Sequence, residues 1–331
     1  MLPRVVVIVL NWNGQHFLER CLSALRAQAF QDFAVVLVDN GSTDGSVDFV
    51  RERFPTVEVI ANPENRGFAA ANNQAIRATR SEFVATLNND TEADPRWLEE
   101  LVRVAEREPQ VGMCASKMLF ADQPDVINSA GIAIDRAGIA WDWRGGERDN
   151  PEEQEPMEVF GACAGAALYR RAMLEEIGLF DEDFFAYLED VDLAWRAQWA
   201  GWQARFIPTA RVLHYHSGTA REGSPFKNRL LGRNKVWLIA KNYPWPALLW
   251  YLPAILFYDL GSLPYTLIVR GDLWPLRGRL EGLRDLRAAL DKRRAAVGLC
   301  RVSGKEILAR MAPLPAPGAL WRRYAHLRGR R

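Results

Sequence analysis

The apolar run Phe83–Leu87 ends in Asn88-Asn89-Asp90. A single carboxylate after a strand holds Mg2+ or Mn2+ only when a diphosphate fills much of the remaining shell. Asn88 and Asn89 can support such an ion through hydrogen bonds but bring no charge. The plain alternative is turn chemistry, because Asn and Asp tolerate tight turns. A second acidic pair, Glu189-Asp190, closes the aromatic and acidic stretch FDEDFFAYLED. A carboxyl group against aromatic rings has a raised proton affinity, which suits a general base. Its plain reading is helix N-terminal charge, with Asp192 and Arg196 as an i,i+4 pair. His214 and His216 are two of only four histidines and stand at alternate positions. On a strand they share a face, either as a core or surface pair or as contacts to a metal or diphosphate. Asp39 ends another apolar run and can accept from a nucleobase or ribose. The neighbouring Ser42, Thr43 and Asp44 suit helix capping.

Elements that alternate in type must position these groups. Val5–Leu10, Ala34–Val38, Val57–Ala61 and Phe83–Leu87 read as strands, and 15–28, 46–54, 68–79 and 94–107 as helices. Such alternation implies parallel βαβ units with helices on both faces. Ligands then bind at the carboxyl ends of the strands. Polar tips follow all four: Asn11-Trp12-Asn13-Gly14, Asp39–Asp44, Asn62–Gly67 and Asn88-Asn89-Asp90. Four tips on one edge make a surface rather than four unrelated turns. Residues 121–158, with Gly145-Gly146 and NPEEQEP, read as an irregular, mobile surface excursion. Gly161–Tyr169 suits a tightly packed strand, a helix begins near Glu189, and Phe206–Ile207 and Val212–His214 read as short strands.

The bulk properties bound the rest. The 331 residues suffice for one large domain with extensions or for two. Four scattered cysteines form no CxxC pair, so neither a zinc site nor a disulfide framework is indicated, and a reducing compartment is expected. The first apolar run is too short for a signal peptide. Residues 221–331 carry 22 Lys and Arg against 7 Asp and Glu, whereas 1–220 carry 20 against 34. Two functional regions follow, with the basic one suited to an anionic membrane face. Residues 244–269 are almost wholly apolar and long enough to span a bilayer. Asp259 and the prolines at 246, 253 and 264 argue for helices lying in one leaflet instead. Residues 270–294, with eight basic and four acidic side chains, suit anionic headgroups. A soluble hairpin or a homodimer interface is the other use of this surface. No nucleic-acid motif accompanies the basic tail.

These pieces, in this order, resemble the family 2 nucleotide-sugar glycosyltransferases of the GT-A fold. The matching stretches are VVIVLNWNG, VVLVDNGSTDGS, NRGFAAANN, LNNDT, GLFDEDFFAYLEDVDLAWRAQWAGW and VLHYHSGT, within residues 4–218. The rhamnosyltransferase-like branch is the most similar. The resemblance implies an α/β fold: a Rossmann-like, mostly parallel mixed sheet with helices on both faces over 1–220, then a helical, hydrophobic and basic region over 221–331. It implies that Leu10, Asn11, Asn13, Asp39, Asn88 and Asn89 line the nucleotide pocket and that Asn65, Arg66 and Gly67 close over the nucleotide. Gly67 would permit close approach. Asp90 would hold Mg2+ or Mn2+, with His214 or His216 as a further contact. Asn88 replaces the first Asp of the family's metal motif, which leaves the ion one fewer negative ligand. Asp190 would be the catalytic base and Glu189 its neighbour, with Trp195 and Arg196 structural or near the diphosphate. The implied reaction inverts a sugar taken from a nucleoside-diphosphate donor, with dTDP-rhamnose as the lean. The acceptor would be lipid-linked or a polysaccharide, at the cytoplasmic face of the plasma membrane. Two rivals remain. A sugar nucleotidyltransferase would want a basic loop for a triphosphate, where this chain has NWNGQ. A catalytically dead, membrane-tethered binding protein would not need Asp39, Asp90 and Asp190 together.

Overall fold

The computed structural model describes residues 2–215, 224–261, 263–269, 271–316 and 318. Strand β1 (Val5–Asn11) shows how the fold is built. Its β-branched side chains alternate faces: Val5, Val7 and Val9 enter one core layer, Val6 and Ile8 the other. The chain continues as α1 (Gln15–Arg26), β2 (Phe33–Asp39), α2 (Ser46–Arg53), β3 (Glu58–Ala61), α3 (Gly67–Ala78), β4 (Phe83–Asn88), β5 (Thr91–Ala93), α4 (Trp97–Arg107) and β6 (Val111–Phe120). It then forms β7 (Gln123–Ser129), β8 (Ile132–Ile134), β9 (Ala140–Asp142), β10 (Met157–Val159), β11 (Ala166–Arg170), α5 (Arg171–Ile177), α6 (Glu189–Trp199) and β12 (Gln203–His214). The C-terminal helices are α7 (Pro225–Asn242), α8 (Ala247–Gly261), α9 (Trp274–Arg284), α10 (Leu286–Val297) and α11 (Gly304–Arg310).

Ten strands form one mixed sheet in the order β10-β12-β6-β11-β4-β1-β2-β3, with β5 against β12 and β7 against β6. The pairs β1–β2, β1–β4, β2–β3 and β6–β12 are parallel. Strand β11 inserts antiparallel between β4 and β6. Helices α1, α2 and α4 cover one face, with Leu18, Leu22, Val50, Trp97 and Leu101 in its core. Helices α3, α5, α6 and α7 cover the other, with Ala71, Leu174, Leu193, Trp195 and Leu238 buried.

Three expectations need correction. Residues 121–158 are not an irregular excursion: they hold β7, β8, β9 and the start of β10. Asp149 from this segment reaches Lys117 at 2.7 Å, and both side chains are buried. The acidic composition thus serves in part to neutralise a cation inside the sheet. Phe206–Ile207 and Val212–His214 are two ends of one strand, β12, whose register against β6 shifts between Ile207 and Arg211. The strand expected over Gly161–Tyr169 is shorter, Ala166–Arg170, and 161–165 are left as a loop.

In the C-terminal region, Pro253 lies inside α8 without ending it. A helical run of 22 residues, Ala247–Ile268, is long and apolar enough to cross a membrane by length and composition. Asp259 does not face out unpaired: Lys235 and Arg279 bind it at 2.8 and 2.7 Å.

A buried ionic cluster ties α6 to α7. Asp192 accepts from Arg196 at 2.9 Å, the pairing expected from its spacing, and from Lys241 at 2.9 Å and Asn242 at 2.8 Å. Lys241 also binds Asp181 at 2.7 Å. Burial alone would raise the Asp192 carboxyl; Lys241 and Arg196 overcome it and hold it well below the usual carboxylate range. Its contribution is complete above the unfolded value of about 4 and is lost as pH falls through the depressed folded value. Lys241→Met is expected to cost about 3–5 kcal/mol at pH 7. Urea unfolding would show that deficit and its shrinkage below about pH 4.

Candidate active site

Parallel pairing brings the tips of β1, β2 and β4 to one edge, since Asn11 lies beside Asp39 and Leu10 beside Asn88. Side chains then knit the edge together. Asn11 donates to Asp39 Oδ1 at 2.8 Å and accepts from Asn89 at 2.7 Å. Asp39 is buried and takes the Ser42 backbone N–H on its other oxygen at 2.9 Å. Asn13, at φ 51°, accepts from the Thr43 backbone at 2.8 Å and donates its own N–H to Ser42 Oγ at 2.8 Å. Asp44 receives the N–H of Gln15 at 2.9 Å and of Ser46 at 3.1 Å, so it caps the first residues of α1 and α2.

A second polar knot forms around Asn40, which sequence reasoning left inside its motif without a role. Its amide donates to Asn65 Oδ1 at 2.9 Å and to Gly67 O at 3.1 Å. Its oxygen accepts from Arg66 N at 3.1 Å and Asn62 at 3.3 Å. Asn65 also takes the Gly67 N–H at 2.9 Å, while the Arg66 side chain stays exposed. Gly67 has φ +82°, and a Cβ there would sit 2.6 Å from the Phe185 carbonyl oxygen. The close approach that this glycine permits is therefore to Phe185.

The end of β4, which leads to Asp90, is tied to Asp190 through two loop residues. The Asn88 N–H donates to Gly165 O at 2.8 Å, and Thr86 Oγ1 donates to Ala164 O at 2.7 Å. The Ala164 N–H donates to Asp190 Oδ2 at 3.2 Å, and the Val191 N–H to Asp190 Oδ1 at 2.8 Å. Burial pushes the Asp190 carboxyl up to about 6, against the pull of these N–H groups. Glu189 is buried with no hydrogen-bond partner on Oε2. Burial and then the charge of Asp190 push it well above the usual carboxylate range. Burial and the neighbouring carboxylate thus both oppose ionisation of Glu189.

His214 Nε2 lies 3.2 Å from Asp90 Oδ1, and its Nδ1 lies 2.9 Å from Asn128 Oδ1. The Asn128 contact fixes the ring with Nε2 toward the carboxylate. The expected contact His216 falls outside the described residues. Among the described residues no third His, Cys, Asp or Glu joins this pair. A carboxylate beside an imidazole nonetheless fits a Mg2+ or Mn2+ whose remaining ligands are phosphate oxygens and water. Trp195 is fully buried against Phe160 and Tyr243, and Arg196 is bound to Asp192 and to the Ile177 and Leu179 carbonyls at 2.7 Å. Both are structural.

The description Glycosyl transferase family 2 matches residues 6–178. An N-acetylglucosaminyl-diphospho-decaprenol L-rhamnosyltransferase of Mycobacterium tuberculosis is 30% identical over 236 residues, 63% of this chain and 75% of that protein. An O-antigen biosynthesis protein of Myxococcus xanthus is 30% identical over 232 residues, 66% of this chain and 18% of that much longer one. Among solved structures, GalNAc-T7 with UDP, GalNAc and Mn2+ superposes with a TM-score of 0.62 at 16% identity, over 89% of this chain and 58% of that one. The mannosyltransferase PcManGT from Pyrobaculum calidifontis, in complex with GDP-Man and Mn2+, superposes at 0.53 with 19% identity, over 100% of this chain and 89% of that one. At these identities the structural likeness establishes the fold, and the sequence match establishes the lineage. The chain belongs to glycosyl transferase family 2 and is a glycosyltransferase.

Proposed function

We propose that this chain transfers a sugar, with inversion, from a nucleoside-diphosphate donor to a hydroxyl of a lipid-linked or polysaccharide acceptor. dTDP-rhamnose is the donor we favour, on the likeness to the mycobacterial rhamnosyltransferase. The observation that carries the mechanism is the tie between Asp190 and the 164–165 loop, which also pairs with the strand end leading to Asp90. In this reading Asp39 meets the nucleobase, with Leu10, Asn11, Asn13, Asn88 and Asn89 around it and Asn65-Arg66-Gly67 over the nucleotide. Asp90 with His214 would hold the divalent ion, which when bound offsets charge on the leaving diphosphate. Asp190 takes the proton of the acceptor hydroxyl, whose oxygen bonds to the anomeric carbon as the sugar–phosphate bond breaks on the far side. One displacement inverts the centre. Glu189, buried beside Asp190, opposes a second charge at this position. Catalytic work falls to 1–220 and acceptor delivery to 221–331.

We assign the apolar face to the cytoplasmic side of the plasma membrane as a peripheral or monotopic contact. Trp245, Trp250, Phe257 and Ile268 are 62%, 82%, 65% and 83% exposed, a density that water disfavours. The basic helices α9 and α10 follow it in the chain.

Asp190→Asn is expected to lower kcat by two orders of magnitude or more, typical of losing a general base, with donor binding intact. In the wild type, kcat/KM should rise with pH through about 6, because only the ionised Asp190 accepts a proton. Turnover retained in Asp190→Asn would refute the assignment. Asp90→Ala should abolish the Mn2+-dependent part of the thermal stabilisation by dTDP-rhamnose or its nucleoside diphosphate; a stabilisation that survives unchanged places the ion elsewhere. Sedimentation with phosphatidylglycerol-containing vesicles should pull the chain down, less so at high salt. A chain that stays in the supernatant as a dimer would reassign the apolar face to self-association.

A further inference from the structure

The segment 183–188, which delivers Glu189-Asp190 to the site, has an unusual backbone. Phe185, Tyr187 and Leu188 all have positive φ, at 64°, 69° and 67°, and none is glycine. Side chains with a Cβ adopt this region only where the surroundings hold them. The surroundings here come from α7. Asn234 is fully buried, and its amide nitrogen lies 3.0 Å from Phe184 O, 2.9 Å from Ala186 O and 2.8 Å from Tyr187 O. Its own oxygen accepts from Arg233 Nε at 2.9 Å, and Arg233 donates to Asp183 O at 2.8 Å and Phe184 O at 3.0 Å. The remaining carbonyl, Phe185 O, faces the other way and accepts the Phe68 and Ala69 N–H groups at 2.6 and 3.2 Å. Those are orphan donors at the start of α3.

From this geometry we infer that Asn234 is a positioning residue for the transfer reaction, holding 183–188 in the conformation that presents Asp190. The inference rests on the reading of Asp190 as the base. Asn234 touches no reacting atom. It acts through the carbonyls on either side of Phe185, so one side chain of the C-terminal region fixes both the base-bearing helix and the cap of α3. The nucleotide loop 65–67 has an anchor of its own in Asn40. Loss of the clamp therefore falls on kcat more than on donor KM.

The experiment uses the full chain with Asn234→Ala and the nearly isosteric Asn234→Asp, which keeps the shape and turns a carboxylate oxygen toward three carbonyls. Asp190→Asn is the reference. Hydrolysis and transfer are followed with dTDP-rhamnose, UDP-GalNAc and GDP-mannose plus Mn2+, and backbone amide exchange is followed without ligand. We expect both Asn234 variants to melt cooperatively and to exchange faster at 183–190 and at the first turn of α3. We expect kcat to fall about a hundredfold, the scale of a small misplacement of a catalytic group, with donor KM changed by less than about fivefold. Wild-type kcat in either folded variant, exchange unchanged in both segments, or a rise in KM alone would overturn the inference. Global unfolding of both variants would also overturn it, because a clamp confined to one loop leaves the sheet standing. If Asp190→Asn keeps its turnover, the base assignment fails instead, and the amide exchange still decides whether Asn234 holds the loop.

Discussion

The antiparallel insertion of β11 between β4 and β6 is the constraint from which the site follows. An antiparallel strand starts where its neighbour ends. The loop before β11, residues 161–165, is thereby delivered to the carboxyl edge of β4. A parallel strand in that slot would have put the same loop at the far edge. Because the loop arrives there, its backbone can pair with Asn88 on one side and present the Ala164 N–H to Asp190 on the other. Sheet topology thus ties the end of β4, two residues before Asp90, to the loop that holds the Asp190 carboxylate.

The edge so formed is stiffened by asparagines together with the carboxylates of Asp39 and Asp44. Asn11, Asn40, Asn65 and Asn89 each act as both donor and acceptor or bridge two loops. A buried amide costs less to desolvate than an ion and offers both kinds of hydrogen bond. Backbone strain is spent as well: Asn13, Phe185, Tyr187 and Leu188 hold positive φ, at about 1–3 kcal/mol each. The ionic cluster around Asp192, behind α6, supplies part of what maintains that strained arrangement.

Much of this was legible in the sequence. The first four strand–helix units repeat a clear pattern, because β1 and β2 are rich in valine, β4 is largely apolar, and α1 and α4 carry one apolar face. Their tips gave Asn11, Asp39 and Asp90, and the aromatic–acidic stretch gave Asp190. Strand β6 escaped notice although every residue in it is buried. Gly112, Ser116 and Lys117 interrupt its apolar character, and Lys117 is tolerated only because Asp149 arrives from elsewhere in the chain. The same partner explains why an acidic stretch read as a loose excursion proved ordered. Asn40 and Asn234 carried no signal, since an asparagine that knits carbonyls looks the same in sequence as one on a surface. Gly67 was read as permitting close approach to a nucleotide, and the position a Cβ would take there faces Phe185.

The sheet ends on one side with β3, four residues long with Glu58 exposed, and on the other with β10, three residues with Glu158 exposed. Short borders bearing a carboxylate give an incoming strand little to hydrogen-bond and repel a second copy of themselves. Those two margins disfavour edge-to-edge joining of one copy's sheet to another's.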